Sequence, residues 1–511
     1  MQVLPFSSED TVSFIGLDVG TSALKVAAYR EDGVLLARAR VPVYPAYPRP
    51  GWSELDPRTV WEATRAGLAQ ISAAPELRHD PPLALAISAS GDEVFPVDAQ
   101  GNPLGPCILS GDVRGHELEA NTAQLASPAE WYTRCGHIPE RMDPANRILW
   151  WREHAPEISS QTAQFLGWHE YLTLHLCGEA VTDPSLASKW AIYDQEQQTW
   201  SDEWTRCLGL DPAWLPRIKA WGTPLGEVPA SLRAEWGFPR PLLVGVGAFD
   251  ASCAALGAAA SRPGVVGLAC GSWEVVTAPT SPLPLTPQLA ESQFPLAPHP
   301  SEAGLALLAQ SPNGSTVVDW ATQTLKQDLA SVGAEIEASG PGPGPVMALP
   351  HFSGSILPQT GGRDSRAAFL GLTLGSTGAE MLKALMESVA YDLALTLRLM
   401  AECNVPCDVL RAAGGGTRSA WWMQLKADLS ATPVEVIAQP EPGTFGAALL
   451  AGAAAGIYPT AWQAAEEMVR VARRYEPDAQ RRALYADRLA TYSEAVAALL
   501  PTCRRLSHDH R

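Results

Sequence analysis

Basic residues are scarce in this chain. Its 511 residues hold 37 Lys and Arg against 55 Asp and Glu, a formal charge of -18. Such an acidic surface argues against nucleic-acid and anionic-membrane partners, although it leaves room for a local basic pocket. Long apolar runs are missing too. The longest low-polarity stretch, 445–458, is rich in Gly and Ala, and it falls short of the ~20 residues that a bilayer-spanning helix needs. The opening MQVLPFSSED lacks the basic-then-apolar layout of a signal peptide, so a soluble, cytoplasmic protein is expected. Nine cysteines are scattered without a C-x-x-C pair, and an odd number does not suggest a disulfide framework. The G-x-x-x-x-G-K-[ST] phosphate loop, H-E-x-x-H, G-x-S-x-G and the protein-kinase H-R-D set are all absent. The ten histidines show no ligand spacing, which argues against a zinc enzyme.

What is present is an ordinary globular balance, 46% hydrophobic and 18% charged, over a length too great for one hydrophobic core. An internal echo organises it. IGLDVGTS at 15–22 returns as VGLACGSW at 266–273. Each copy opens a β-rich segment with a Gly-[Ser/Thr] turn; strands are predicted over 14–18 and 24–29 in the first, and from 265 to 276 in the second. A repeat near half the chain length predicts two similar domains. Short apolar strands at 83–88 and 242–246 alternate with amphipathic helices at 61–71 and 147–153, a pattern that favours α/β layers. TGAE at 377–380 is a capping box for a helix over 377–400. Another helix is predicted over 420–429, and the last 50 residues read as helical. The proline-rich stretches 277–300 and 340–345 read as surface loops, because proline removes donors that sheets and helices need.

Three places could carry chemistry. Asp18 ends a hydrophobic strand, where a carboxylate is expensive unless it meets donors, a metal or a cavity. Gly16 and Gly20 allow a close turn, and Thr21 and Ser22 add hydroxyls and amides, a set suited to a magnesium-linked phosphate or, equally, to a plain capped hairpin. Asp250 follows the strand and turn GVGAF at 245–249. It either caps the next helix or serves as a general base at a strand-to-helix junction. The triple glycine Gly414-Gly415-Gly416, with Thr417, Arg418 and Ser419 behind it, permits close backbone approach to a ligand or is simply a flexible turn.

The motifs occur in a fixed order: GLDVGTSALK at 16–25, PGWSELDPRTVW at 50–61, VDAQGNPLGPCILSGDVR at 97–114, MDPANRILWWREH at 142–154, GVGAFDASCAALG at 245–257 and GLACGSWEVV at 267–276. PHFSG at 350–354, RDSRAAFLGLTLG at 363–375, GGGTRSAWWMQLKADLSATPVEV at 414–436 and FGAALLAG at 445–452 complete the set. Together they resemble the FGGY carbohydrate kinases, the sugar-kinase branch of the actin-like ATPase superfold.

The resemblance implies an α/β chain of two ribonuclease-H-like domains, over 12–258 and 259–511, the second ending in a helical tail, with ATP and sugar in an interdomain cleft. It implies ATP-dependent phosphorylation of a sugar or polyol hydroxyl, with Asp250 as the base and also in contact with substrate, and with Asp18 organising Mg2+. Gly20, Thr21, Ser22 and Lys25 match the first phosphate loop, and Gly271 and Ser272 the second. Gly314 joins the nucleotide side, while Gly414, Gly415 and Ser419 match positions beside the adenosine. Asp92, Asp112 and Arg114 match the sugar side. Homodimerisation would be consistent with the resemblance.

Departures gather on the sugar side. Ser110 stands where many relatives have Trp, Ala89-Ser90-Gly91-Asp92 where pentulose kinases have Q-M-H-G, Ser355-Ile356-Leu357-Pro358 where E-R-x-P is usual, and Arg147 where Lys is common. The expectation is a working kinase of altered substrate, a ketose such as a pentulose. A catalytically weak sugar- or nucleotide-binding regulator of the same fold is the alternative.

Overall fold

The computed structural model describes residues 11–140, 142–283, 286–327, 329–355 and 362–508; the 356–358 departure therefore lies outside the described residues. The chain forms two compact units. The first is Met1–Ser261 with Pro295–Ala306 and Glu441–Val469, and the second is Arg262–Phe294, Leu307–Pro440 and Arg470–Arg511.

In the first unit, Ser13–Val19 and Ala23–Arg30 make an antiparallel hairpin, with Ile15 opposite Ala28. Leu35–Pro42 extends the sheet on the hairpin's outer side. On the other side Pro82–Ala89 runs parallel to Ser13–Val19, and Leu243–Gly245 parallel to that strand. Pro224–Glu227 closes this edge antiparallel. The second unit repeats the plan. Gly264–Cys270 and Glu274–Thr280 form the hairpin, Leu305–Ser311 flanks it, and Cys407–Ala413 and Val434–Ile437 follow in parallel. Strand order third-second-first-fourth-fifth thus arises twice, as the echo's two similar domains require, and it is the ribonuclease-H-like arrangement that the resemblance implies.

Two-residue periodicity decides what each face of the first sheet meets. Ile15, Leu17 and Val19 point into a core shared with Val60, Leu68 and Ile71 of the helix Pro57–Ser72. Phe14 points the other way, toward Phe445, Leu449 and Leu450 of the helix Pro442–Ala454 and toward Cys253 and Leu256 of Asp250–Gly257. Gly16 and Asp18 share that second face. A Cβ on Gly16 would sit 1.8 Å from the Thr444 carbonyl oxygen, so only glycine lets this helix approach the strand. The apolar run at 445–458 is explained by this burial, and among the described residues no helix is long and apolar enough to cross a membrane.

The predicted capping box is present: Glu380 N donates to Thr377 Oγ1 at 3.2 Å and Thr377 N to Glu380 Oε2 at 2.9 Å, heading the helix Gly378–Glu402. Two expectations need correction. The stretch 277–300 is not all loop, since it holds the end of the strand Glu274–Thr280, the helix Pro287–Ser292 and the strand Leu296–Pro298. Proline in a first helical turn forfeits no hydrogen bond, which is why Pro287 follows the capping residue Thr286. The last 50 residues are not all helical either. Val471–Tyr475 is a strand, antiparallel to Val434–Ile437, and its exposed side chains hide an edge position that only the pairing reveals.

Candidate active site

Strand register brings the acids of the first unit together. Asp18 is paired in register with Ser88 of the parallel neighbour, and Ser88 in turn with Ala248, two residues before Asp250. Asp18 and Asp250 therefore emerge at the carboxyl ends of the two strands that flank Pro82–Ala89, where open α/β sheets place their ligands. Ser88 Oγ donates to Asp18 Oδ1 at 2.8 Å, and Lys25 Nζ lies 3.5 Å from Asp18 Oδ2 and 3.0 Å from Glu441 Oε2. Burial works to lower the Lys25 ammonium, but Asp18 and Glu441 outweigh it and raise it. Gly443, in the first turn of Pro442–Ala454, faces the Asp18 carboxylate so closely that a Cβ there would stand 3.2 Å from its Cγ. Gly20, Thr21 and Ser22 form the hairpin turn, with both hydroxyl-bearing residues exposed and Gly20 N donating to Ala23 O at 3.2 Å.

Asp250 opens the helix Asp250–Gly257, and its Oδ1 accepts the Ala251 amide at 2.5 Å. It is half-buried by surface, yet protein closes densely around it. Burial pushes its carboxyl up to about 8, and the charges of Asp18, Glu93 and Asp92 add to the shift.

The loop that presents Asp250 is clamped from below by residues that sequence reading missed. Gly247 N donates to His169 Nε2 at 3.0 Å, while His169 Nδ1 bonds the Val181 carbonyl at 2.8 Å. That pairing requires the neutral tautomer with hydrogen on Nδ1, and burial lowers this imidazole to about 4. Phe249 N donates to Ser185 Oγ at 3.0 Å, and Ser185 Oγ donates to Asp183 Oδ1 at 2.5 Å. Two amides within three residues of Asp250 are thereby fixed. The only visible signal in sequence is Asp183-Pro184, a cap and a first-turn proline.

The predicted sugar-side residues lie in two groups. Asp92 Oδ1 is 3.2 Å from Lys189 Nζ. Arg147, fully buried, donates to the carbonyls of Asp92, Ile108 and Leu109. Beside it Glu93 is buried and its carboxyl raised, first by burial and then by Asp92. Arg114 makes a separate, braced unit: Nε and Nη2 donate to the two Asp112 oxygens at 2.9 and 2.7 Å, Nη1 donates to Glu54 at 2.7 Å, and the guanidinium lies 4.0 Å over the Trp52 ring. Burial works to raise Asp112, but Arg114 and the Ser53 and Arg114 amides hold it below the usual carboxylate range.

In the second unit, Gly271, Ser272 and Gly314 assemble into one turn. Ser315 N donates to Gly271 O at 2.8 Å and Gly314 N to Ser272 O at 3.1 Å. A Cβ on Gly314 would stand 2.6 Å from Gly271 O. Gly414, at φ +105°, packs on the same strand end, where a Cβ would meet Cys270 O at 2.7 Å. Gly415 begins a short 3-10 turn, Gly415–Arg418, and Ser419 caps Ala420–Ser430 by accepting the Trp422 amide at 3.3 Å. Beneath these glycines Lys426 and Glu274 form a buried ion pair that sequence reading also missed.

Among the described residues no group of three or more His, Cys, Asp or Glu could hold a metal ion. A caged transition metal is therefore a poor fit to these residues. Magnesium fits better, since it keeps several waters and is bound through one or two carboxylates plus substrate phosphates; the partly exposed Asp18, on the strand that leads into the Thr21 and Ser22 turn, would fit that need.

The model of the N-terminal domain of the FGGY family of carbohydrate kinases matches residues 13–257, and that of its C-terminal domain matches 266–455. The chain belongs to this family and is an enzyme that phosphorylates a sugar. Relatives include the xylulose kinase of Streptomyces rubiginosus, 31% identical over 430 residues that cover 83% of this chain and 82% of that protein. The L-xylulose/3-keto-L-gulonate kinase of Escherichia coli (strain K12) is 26% identical over 499 residues, 96% of this chain and 97% of that one. A solved xylulose kinase from Rhodospirillum rubrum superposes with a TM-score of 0.84 at 25% identity, covering 96% of this chain and 99% of its own.

Proposed function

We propose that this kinase transfers phosphate from Mg-ATP to a hydroxyl of a neutral ketose, a pentulose such as xylulose being the best candidate, with Asp250 as the general base. One observation carries the reading: Asp250 stands at the strand ends beside Asp18 with a carboxyl raised to about 8 by burial. A base so poised takes a proton readily from an alcohol whose oxygen is forming a bond to phosphorus. The names of relatives, xylulose kinases among them, support the ketose assignment.

Asp18 would anchor the hydrated magnesium, which when bound neutralises charge on the phosphates. Gly20, Thr21, Ser22 and Lys25 of the first unit, and Gly271, Ser272 and Gly314 of the second, would hold phosphate oxygens through amides, hydroxyls and the ammonium. Gly414, Gly415 and Ser419 would border the adenosine. Asp250 accepts the hydroxyl proton as the new O–P bond forms and the bond to the ADP oxygen breaks. His169 and Ser185 keep that carboxylate in place by fixing the backbone on its approach. Asp92, Asp112 and Arg114 serve the sugar, the last two as a braced pair. An ADP-release assay across ketoses and alditols tests the reading; the expected result is ATP-dependent turnover with at least one ketose, and no ADP release with any of them would refute it.

A further inference from the structure

We propose that Lys189 is a specificity residue: it and Asp92 form an ammonium–carboxylate pair that grips a neutral polyhydroxylated substrate, and Asp92 keeps the ammonium from a substrate carboxylate. This rests on the placement of the sugar beside Asp92 and Asp250 proposed above. Lys189 belongs to the turn Ser188–Trp190, and its side chain and that of Asp92 are each 16% exposed. Its Nζ also lies 5.6 Å from the ring centre of Phe249, the residue before Asp250. Gly91 makes room for the lysine stem, since a Cβ there would stand 2.7 Å from Lys189 Cγ.

The pair is close but not spent. Asp92 Oδ1 is buried, and the ammonium at 3.2 Å is the partner it faces, which leaves further lone pairs of the carboxylate for a substrate hydroxyl. A sugar hydroxyl can satisfy both partners, donating to Asp92 and accepting from Lys189, and bonds to charged groups are the stronger ones. Glu140 and Asp143 also act on the ammonium; burial works against its charge, but Asp92 and these two acids more than offset that. A sugar acid would have to displace Asp92, leaving a buried carboxylate unpaired near Glu93 and Asp250, which is strongly unfavourable. With Asn at position 92 the nearest competing carboxylate is gone, and the ammonium, with Glu140 and Asp143 still acting on it, can better accept a substrate carboxylate.

The test compares the parent protein with Lys189→Met, Asp92→Asn and the double variant, using ADP release on xylulose, xylitol and gluconate, with thermal melts to verify folding. Lys189→Met is expected to raise KM for the best neutral substrate about tenfold or more, with a smaller change in kcat. Asp92→Asn is expected to shift the ratio of kcat/KM on gluconate to that on the neutral substrate at least tenfold toward gluconate, and Lys189→Met added to it should abolish the shift. An unchanged KM in folded Lys189→Met, an unmoved ratio in Asp92→Asn, or a shift that survives in the double variant each overturns the inference while leaving the kinase reading intact. If Lys189→Met does not fold, the ratio in Asp92→Asn decides alone. A parent that turns over none of these sugars overturns the sugar-site reading and this inference with it.

Discussion

Replacing Asp250 by Asn tests the chemistry and the electrostatics of the site at once. The amide keeps the shape and can still accept the Ala251 N–H, but it cannot take up a proton at neutral pH. Loss of a general base should lower turnover by roughly 10²–10⁴-fold. The same change should stabilise the fold at alkaline pH. The folded carboxyl is raised from 3.8 to about 8. Below pH ~4 folded and unfolded chains both hold the proton, and nothing is lost. Between pH ~4 and ~8 the unfolded chain releases a proton that the folded chain keeps, so stability falls as pH rises, and above ~8 the loss is complete. Four units at about 1.36 kcal/mol each set a ceiling of roughly 5 kcal/mol. A half-buried amide has its own desolvation, so a gain of about 1–3 kcal/mol is expected for Asp250→Asn at pH 9, and much less at pH 5. Urea unfolding of parent and variant at both pH values reads the gain, and ADP release reads the rate. A near-parental rate would end the role of base; an equal stability gain at both pH values would refute the electrostatic argument.

Two further substitutions probe what surrounds Asp250. Asp18→Ala should weaken magnesium-dependent turnover by removing the anchoring carboxylate, and should move the acid limb of the kcat/KM profile below pH 8, because the Asp18 charge helps to raise Asp250; a magnesium titration and a pH profile identical to the parent's would contradict both. Ser185→Ala leaves the Phe249 amide without its acceptor, which should destabilise by about 1–3 kcal/mol and lower kcat more than it raises KM. Ser185→Thr should restore kcat, and a variant that changes stability alone would reduce Ser185 to a packing role.

Much of the fold was legible because its signals are local. The alternation of Phe14, Ile15, Gly16, Leu17 and Asp18 declares a strand with two buried faces, and Thr377 with Glu380 declares a helix start. The doubled IGLDVGTS hairpin declared two similar sheets. What stayed hidden depends on contacts across long sequence separations. Glu441 reaches Lys25 from 416 positions away, and nothing around either residue announces the other. His169 sits in an unremarkable helix, and its role appears only when the Gly247 amide arrives 78 residues later. Lys189 follows the same rule: an isolated lysine in sequence, it gains meaning from Asp92 and the Gly91 gap. The strand Val471–Tyr475 was missed because edge strands carry little periodic burial, so its partner strand rather than its own residues defines it.

The two copies of the hairpin also show where the chemistry divides. In the echo Asp18 aligns with Ala269, and Ala23 with Glu274. The first copy keeps its acid 18% exposed, held by Ser88 and Lys25. The second buries its acid against Lys426, with side chains 6% and 0% exposed. A buried pair of that kind adds little net stability, yet removing one partner would leave a charge stranded, so Glu274 is committed to Lys426. One scaffold therefore carries two different outcomes. The first unit retains the carboxylate for which we propose the magnesium and, near it, the proposed base Asp250, whose carboxyl burial has raised. The second retains a turn of glycine amides and the Ser272 hydroxyl with its acid locked away, a surface suited to holding oxyanions and not to proton transfer.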